Sequence, residues 1–489
     1  MNRVKKLVIV GGGTAGWIAA TWFSKRWGQL LDVTIIDKSQ PERVGVGEAT
    51  LLSFSDVMQN MGYKVTDWIN SIDATYKAGI LFPGWGKEDN TVWHPFGFTS
   101  VGDEKIPMYD IWSNYQDQYD IKDISPLFLS SQQGNIELDY VKDTYAYQID
   151  CGKLVRFLQS NHRCEYIQSD VKKVVKNGDD IEKLVLEDGS EIVGDLYIDC
   201  TGWKQLLIGG DDNIDFSDRL FINAALAGRV KYENDKEQHP YTACPAQEHG
   251  WIWKIPTRSR IGTGYCFNKS ITDPDVVADA FVKHWDNRIS KDELRLLDWK
   301  PQRVRKFWKG NVVTIGLSAG FIEPLESTGL ALMIRGCEYL EECMYACVYN
   351  PHYEPDVYNV RMKVAFESAV DYITMHYTYS QRKGKFWDYV RQNVKKPGMQ
   401  EFMEGQINDP LEVTFQNDRT SSFFGGSNWH VWLLQLMPEV VPKQYWHTLS
   451  SDIVPRFENY INTLHNNVNE ATPQKIFLKE WYGQKNYMV

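Results

Sequence analysis

The strongest constraint on how this chain folds lies at its N-terminal end. Lys6 to Val10 is a short apolar run of strand type, and Gly11-Gly12-Gly13-Thr14-Ala15-Gly16 follows at once. The spacing predicts a helix over about 14–27 and a second strand from Val33 to Ile36, ending on Asp37. Such a strand–turn–helix–strand unit binds a dinucleotide. Gly11 makes the turn, Gly13 lets backbone approach a pyrophosphate, and Gly16 permits close helix packing. Asp37, 24 residues beyond Gly13, is placed to accept from a ribose 2′-hydroxyl. A turn that merely joins two packed elements is the plainer reading of the glycines alone.

Later segments belong to the same sheet. Asp195 to Gly202 and Asn311 to Gly316 are short apolar strands ending in small-residue turns, where α/β sheets present loops to a ligand. Asp150 to Leu158 reads as a helix, and Tyr166 to Val171 and Lys183 to Leu186 as further strands. No second glycine motif in strand–helix context marks a nicotinamide domain. Residues 50 to 145 form a large aromatic insertion. Beyond Gly329 the pattern turns helical, over Leu330 to Asn350, Val360 to Tyr377 and Lys385 to Gln392.

Composition narrows the class. The chain has 489 residues and a net charge of -11, so a whole-protein nucleic-acid binder is disfavoured. An apolar fraction of 43% excludes intrinsic disorder. No run of about 18 uncharged apolar residues suggests a membrane span. The segment from Met1 to Lys6 leads into glycines without a cleavage signature, so a cytoplasmic location is the expectation. The eight cysteines contain no CxxC pair and the histidines no ligand cluster, so no metal site is expected.

Gly250-Trp251-Ile252-Trp253-Lys254-Ile255-Pro256 is the most unusual segment. Strand alternation puts Trp251 and Trp253 on one face, and Pro256 stops the strand. Two other segments carry single chemical groups. Lys77 lies in the apolar run Tyr76-Lys77-Ala78-Gly79-Ile80, where a lysine ordinarily snorkels to solvent. Glu326 precedes Ser327-Thr328-Gly329 and a helix, the ordinary place for a first-turn carboxylate.

Taken together, the glycine motif, Trp251-x-Trp253-x-Ile255-Pro256, Ala74-Thr75-Tyr76-Lys77 and Phe321 to Gly329 resemble the flavin-dependent halogenases, the group with tryptophan and indole halogenases. The resemblance spans about residues 5 to 390. It implies an α/β fold in which a Rossmann-like FAD-binding module of the flavin monooxygenase type (residues 1–330) is intertwined with a mainly helical substrate module (331–489). The insertion would contribute to the substrate side.

The resemblance also implies roles. Reduced FAD (FADH2) and O2 would oxidise halide (chloride, bromide or iodide) to hypohalous acid. Lys77 would present the electrophilic halogen to an electron-rich aromatic, and Glu326 would steady the charged ring and take its proton. Thr328 and Gly329 would hold halide. Gly11, Gly13, Thr14, Ala15, Gly16, Asp37, Val46, Gly47, Glu48, Ala49, Val171, Gly316, Leu317 and Leu332 would contact FAD. His94, Pro95, Phe96, Trp251 and Trp253 would line the substrate and tunnel side. Glu323 would be a second acid without the catalytic role.

The missing nicotinamide motif implies that a separate NAD(P)H-dependent flavin reductase supplies FADH2. A homo-oligomer is left open. Where the family's free-tryptophan enzymes clamp the amino acid, Asp409 to Phe415 and Thr420 to Trp429 show no paired tyrosines. An indole or phenol is therefore expected in preference to free L-tryptophan. An FAD-dependent aromatic monooxygenase with Lys77 incidental is the alternative, and a non-catalytic FAD-binding protein a remoter one.

Overall fold

The computed structural model describes residues 4–38, 47–87, 90–96, 100–101, 106–107, 118–136, 145–349, 355–398, 423–436, 453–469 and 471–482, with Trp112 and Tyr115. The N-terminal unit forms as expected: β1 (Lys6–Val10), α1 (Thr14–Trp27) and β2 (Asp32–Ile36). Helix α1 is buried on several sides, with Trp17, Trp22 and Phe23 all in the core. A helix packed all round is apolar all round, which is why its sequence shows no clear polar stripe.

A six-stranded sheet runs in the order Glu165–Ile167, β2, β1, Leu196–Asp199, Val312–Thr314 and Trp308–Lys309. All its pairings are parallel except the last. The strand expected over Tyr166 to Val171 is two elements. Glu165–Ile167 joins the parallel sheet, whereas Val171–Asn177 starts an antiparallel hairpin with Asp180–Leu186. The break falls where the Asp37 N–H closes on the Ile167 carbonyl at 3.1 Å and Lys38 pairs with Asp170 at 2.6 Å, tying off the strand end.

A second, mostly antiparallel sheet contains Ala224–Val230, Ile261–Phe267 and Gly250–Pro256, and continues through Thr242–Ala243 to Gly79–Phe82 and Val92–Pro95. The last two strands belong to the insertion, so that segment is hydrogen-bonded into the sheet. A three-stranded sheet pairs Ala146–Ile149 with Glu48–Ala49 on one side and Thr75–Lys77 on the other. It brings the expected cofactor loop and the Lys77 strand to one small platform.

The helices beyond Gly329 are somewhat longer than their apolar patterns: Thr328–Tyr349, Asp356–Tyr379 and Lys385–Asn393. The apolar stretch around Trp429 forms the helix Gly426–Leu436. Among the described residues no helix is long and apolar enough to cross a membrane, and no group of His, Cys, Asp and Glu has the makings of a metal site. The described cysteines whose side chains are placed are buried and form no disulfide with one another.

Candidate active site

The turn after β1 is built so tightly that side chains are excluded. Gly11 has φ +104, and a Cβ there would stand 2.3 Å from the Cys200 carbonyl oxygen. A Cβ on Gly16 would meet the Gly11 oxygen at 1.8 Å. Gly13 caps α1 without a side-chain hydrogen bond, so the first amides of α1, from Thr14 and Ala15 onward, are open to an anion. Asp37 stands at the end of β2 and accepts from the Gly12 N–H at 2.9 Å. Gly12 escaped notice in the sequence, yet a Cβ there would lie 2.0 Å from Asp37 Oδ2. A cradle closed to side chains, an uncapped helix start and an acid on the second strand together fit a dinucleotide such as FAD.

Other expected cofactor contacts gather nearby. A Cβ on Gly316 would press on Ala15 Cβ at 2.5 Å, so the Val312–Thr314 strand delivers its turn onto the start of α1. Gly316, Leu317, Thr328, Gly329 and Leu332 line one recess with Phe321 and Phe366, which unites the expected flavin and halide residues. Gly47 (φ +80) packs against Ile255 of the tryptophan strand. Glu48 and Ala49 pair with Ile149 and Gln148. Val46 lies outside the described residues. Val171 sits away from the recess, against the apolar cluster that holds Val8, Val10 and Ile36.

Lys77 is fully buried, the opposite of a snorkelling lysine. In the Thr75–Lys77 strand Tyr76 points to the other face, against Tyr147 and Phe477. Lys77 Nζ donates to Ser327 Oγ at 2.9 Å and to the Thr50 carbonyl at 3.3 Å, and it lies 4.4 Å from the centre of the Phe96 ring. Burial lowers its pKa to about 7, against a smaller opposing pull from Glu326. Near neutral pH both its ammonium and its amine form are within reach.

Glu326 is equally buried. It and Ser327 both have φ 60, a left-handed pair that turns their side chains inward just before the helix. His94 Nδ1 lies 3.0 Å from both carboxylate oxygens, and His376 Nε2 lies 2.7 Å from Oε1. Burial alone would raise this carboxyl, but the two imidazoles outweigh it and hold the group well below the usual carboxylate range. Ser327 and His376 carried no signal of their own in the sequence. Ser327 was visible only inside its segment, and His376 is one residue of a long helix.

Glu323 is a different acid. Tyr377 donates to it at 2.6 Å, Trp251 Nε1 donates to the Tyr377 hydroxyl at 2.9 Å, and Glu323 Oε2 is buried without a partner among the described residues. Burial pushes its pKa up to about 8, so it is a neutral acid at neutral pH. Trp251 and Trp253 do share a face, with ring centres 6.3 Å apart, and both are core residues. Gly264 opposite leaves the space in which the Trp253 ring lies, since a Cβ there would stand 2.1 Å from it. Pro95 ends its strand opposite Gly79, which sets His94 and Phe96 on either side of it.

A nucleotide cradle on a parallel sheet, with a buried lysine and a buried carboxylate in the same molecule, is the arrangement of a nucleotide-dependent enzyme with reactive groups kept from water. The tryptophan halogenase family model matches residues 6–451, and the chain belongs to that family. It is 29% identical to tryptophan 6-halogenase ThaL of Streptomyces albogriseolus over 79% of this chain and 78% of that protein. It is 27% identical to tryptophan 7-halogenase RebH of Lentzea aerocolonigenes over 99% and 100%. Among solved structures, Xcc4156, a flavin-dependent halogenase from Xanthomonas campestris, superposes with a TM-score of 0.86 at 27% identity, covering 98% of this chain and 99% of that one. The protein is thus a flavin-dependent halogenase, an oxidoreductase that uses FADH2, O2 and halide. Its family acts with a separate flavin reductase on small aromatic substrates.

Proposed function

We propose that this halogenase transfers halogen to an electron-rich arene of the indole or phenol type, through Lys77 with Glu326 assisting, and that free L-tryptophan is not its preferred substrate. The observation that carries the reading is the pair of buried groups on either side of one hydroxyl. Lys77 Nζ is bonded to Ser327 Oγ, and Glu326 is the adjacent residue on the same inward turn.

Bound at the glycine cradle, reduced flavin with O2 supplies the oxidising equivalents that turn halide into hypohalous acid. The remaining work falls to side chains. Lys77 as an ammonium donates to the oxygen of hypohalous acid and polarises its O–halogen bond, and its burial strengthens that contact. Phe96, beneath Lys77, supplies an aromatic wall for the substrate ring. Glu326, ionised beside its imidazole neighbours, stabilises the positive ring and accepts the departing proton. The preference against free tryptophan rests on residues 401–432, most of which lie outside the described residues. Within the described part, Phe424 stacks on Tyr372 at 4.1 Å and Trp429 packs edge-on to it, an apolar arrangement without a charged clamp.

The test supplies FAD, a flavin reductase with NAD(P)H, O2 and mixed halides to the enzyme with a panel of indoles, phenols and L-tryptophan. Halogenated indole or phenol at higher kcat/KM than halogenated tryptophan is the expected outcome. A tryptophan-selective enzyme sinks the substrate assignment. Arene hydroxylation without halide, or wild-type halogenation by Lys77→Ala, sinks the role given to the lysine.

A further inference from the structure

Both imidazoles that reach Glu326 have their other nitrogen committed. His94 Nε2 lies 2.9 Å from Asn428 Oδ1. Asn428 Nδ2 donates to the Gly425 carbonyl at 3.0 Å, which fixes the amide and turns only its oxygen to His94. His376 Nδ1 lies 2.8 Å from the Tyr372 carbonyl, which can only accept. Each outward nitrogen therefore carries a hydrogen. A neutral imidazole has one, so the nitrogens facing Glu326 have none of their own.

Each inward contact thus needs an additional proton, shared between imidazole and carboxylate. With none, the cluster is an anion and both contacts set lone pair against lone pair. One proton makes it neutral and closes one contact. A second makes it cationic and closes both. The three side chains are at most 1% exposed, so water does not step in to fill an open contact.

We infer that His94, Glu326 and His376 act as one proton acceptor, with the two histidines as positioning residues that set the basicity of Glu326. The inference rests on Glu326 being the base of the proposed reaction. Burial lowers the His376 pKa against the pull of Glu326, so its proton is held only by the carboxylate across the shorter contact, and the contact to His94 is the open one. When the halogen is on the ring, the C–H bond at that carbon breaks and its electron pair restores the aromatic ring. The proton passes to a Glu326 oxygen and settles between that oxygen and His94 Nδ1. The cluster goes from neutral to cationic and gains a hydrogen bond as it does so. Lys77, Cys244 and Tyr372 are the other titratable groups facing the carboxylate, and of these only Lys77 changes charge near neutral pH.

The acid limb of turnover should then report protonation of the three-group cluster as a unit, not of an isolated carboxylate. His94→Asn keeps a donor at the Nδ1 position but cannot exchange its proton. It should lower kcat about 10- to 100-fold, move the acid limb toward the carboxylate range and expose a kinetic isotope effect with ring-deuterated substrate. An acid limb and isotope effect equal to those of the wild type overturn the inference.

A second measurement needs no turnover. In the 15N-histidine-labelled full chain, NMR over about pH 5 to 9 should find both outward nitrogens protonated throughout. The inward pair should titrate together, and separately in Glu326→Gln. An inward-protonated neutral tautomer at either histidine, or independent titration in the wild type, overturns the shared store. If wild type halogenates no arene, the aromatic-halogenation reading fails, while this titration still decides the proton store.

Discussion

At the scale of single residues, the site separates two acids that sequence alone makes look alike. Glu326 is drawn down by its imidazole neighbours, whereas Glu323 is pushed up by burial against the smaller pull of the Tyr377 hydroxyl. The sign of the second shift has a consequence for stability. Below the unfolded value of 4.5 Glu323 is protonated in both states, so burial carries no ionic penalty. As pH rises toward the folded value of about 8, the unfolded chain ionises first and the fold loses stability. Glu323→Gln should therefore melt close to wild type at pH 5 and above it at pH 8, by calorimetry. Lys77 works in the opposite direction on the pH scale. Its folded pKa of about 7 lies below the unfolded 10.5, so stability falls as pH drops through that window. Lys77→Met should lose halogenation while raising Tm at pH 7 by about 2–5 °C, and hypohalous acid should still form. A variant without halogenation that melts lower than wild type shows that the buried amine is not a net cost to the fold. Lys77 and Glu326 were legible because each sits in a segment with a distinctive neighbourhood. His376 was not, since its partner lies 50 residues away and no local spacing announces it.

At the scale of elements, what could be read was what repeats locally. The β1–α1–β2 unit follows from an apolar run, a glycine turn and the helix signal, all within one stretch of chain. The division at Ile167 could not be read, because it depends on Asp37 and Lys38 from a distant strand. The Gly250–Pro256 strand was legible by its alternation, but its partner was not. Gly264 lies directly opposite Trp253 in the antiparallel register and gives up its side chain so that the indole can lie there. Gly264→Ala should force that ring to move, at a cost of about 1–3 kcal/mol in denaturant unfolding. Unchanged stability together with unchanged Trp253 fluorescence would show that the indole has room the packing does not indicate.

At the scale of the whole molecule, the lysine strand is held from the far end of the chain. Gln474 is fully buried, accepts from the Tyr76 N–H at 2.7 Å and donates to the Gln238 carbonyl at 3.3 Å. Thr472–Pro473 just before it pairs with Asn135–Ile136 in the insertion. Gln474→Ala should leave a buried amide unpaired beside Lys77, cost about 1–3 kcal/mol and lower kcat more than it alters FAD affinity. Equal loss in both would place its effect on the fold as a whole. The left-handed pair at Glu326 and Ser327 bears on the molecule in another way. Two adjacent side chains in that region are kept there by their surroundings, not by local preference. A protein engineer seeking robustness would first put glycine at 327, where the backbone asks for it. The result would be a sturdier scaffold missing the hydroxyl that seats the lysine, so thermostabilisation of this enzyme has to begin elsewhere.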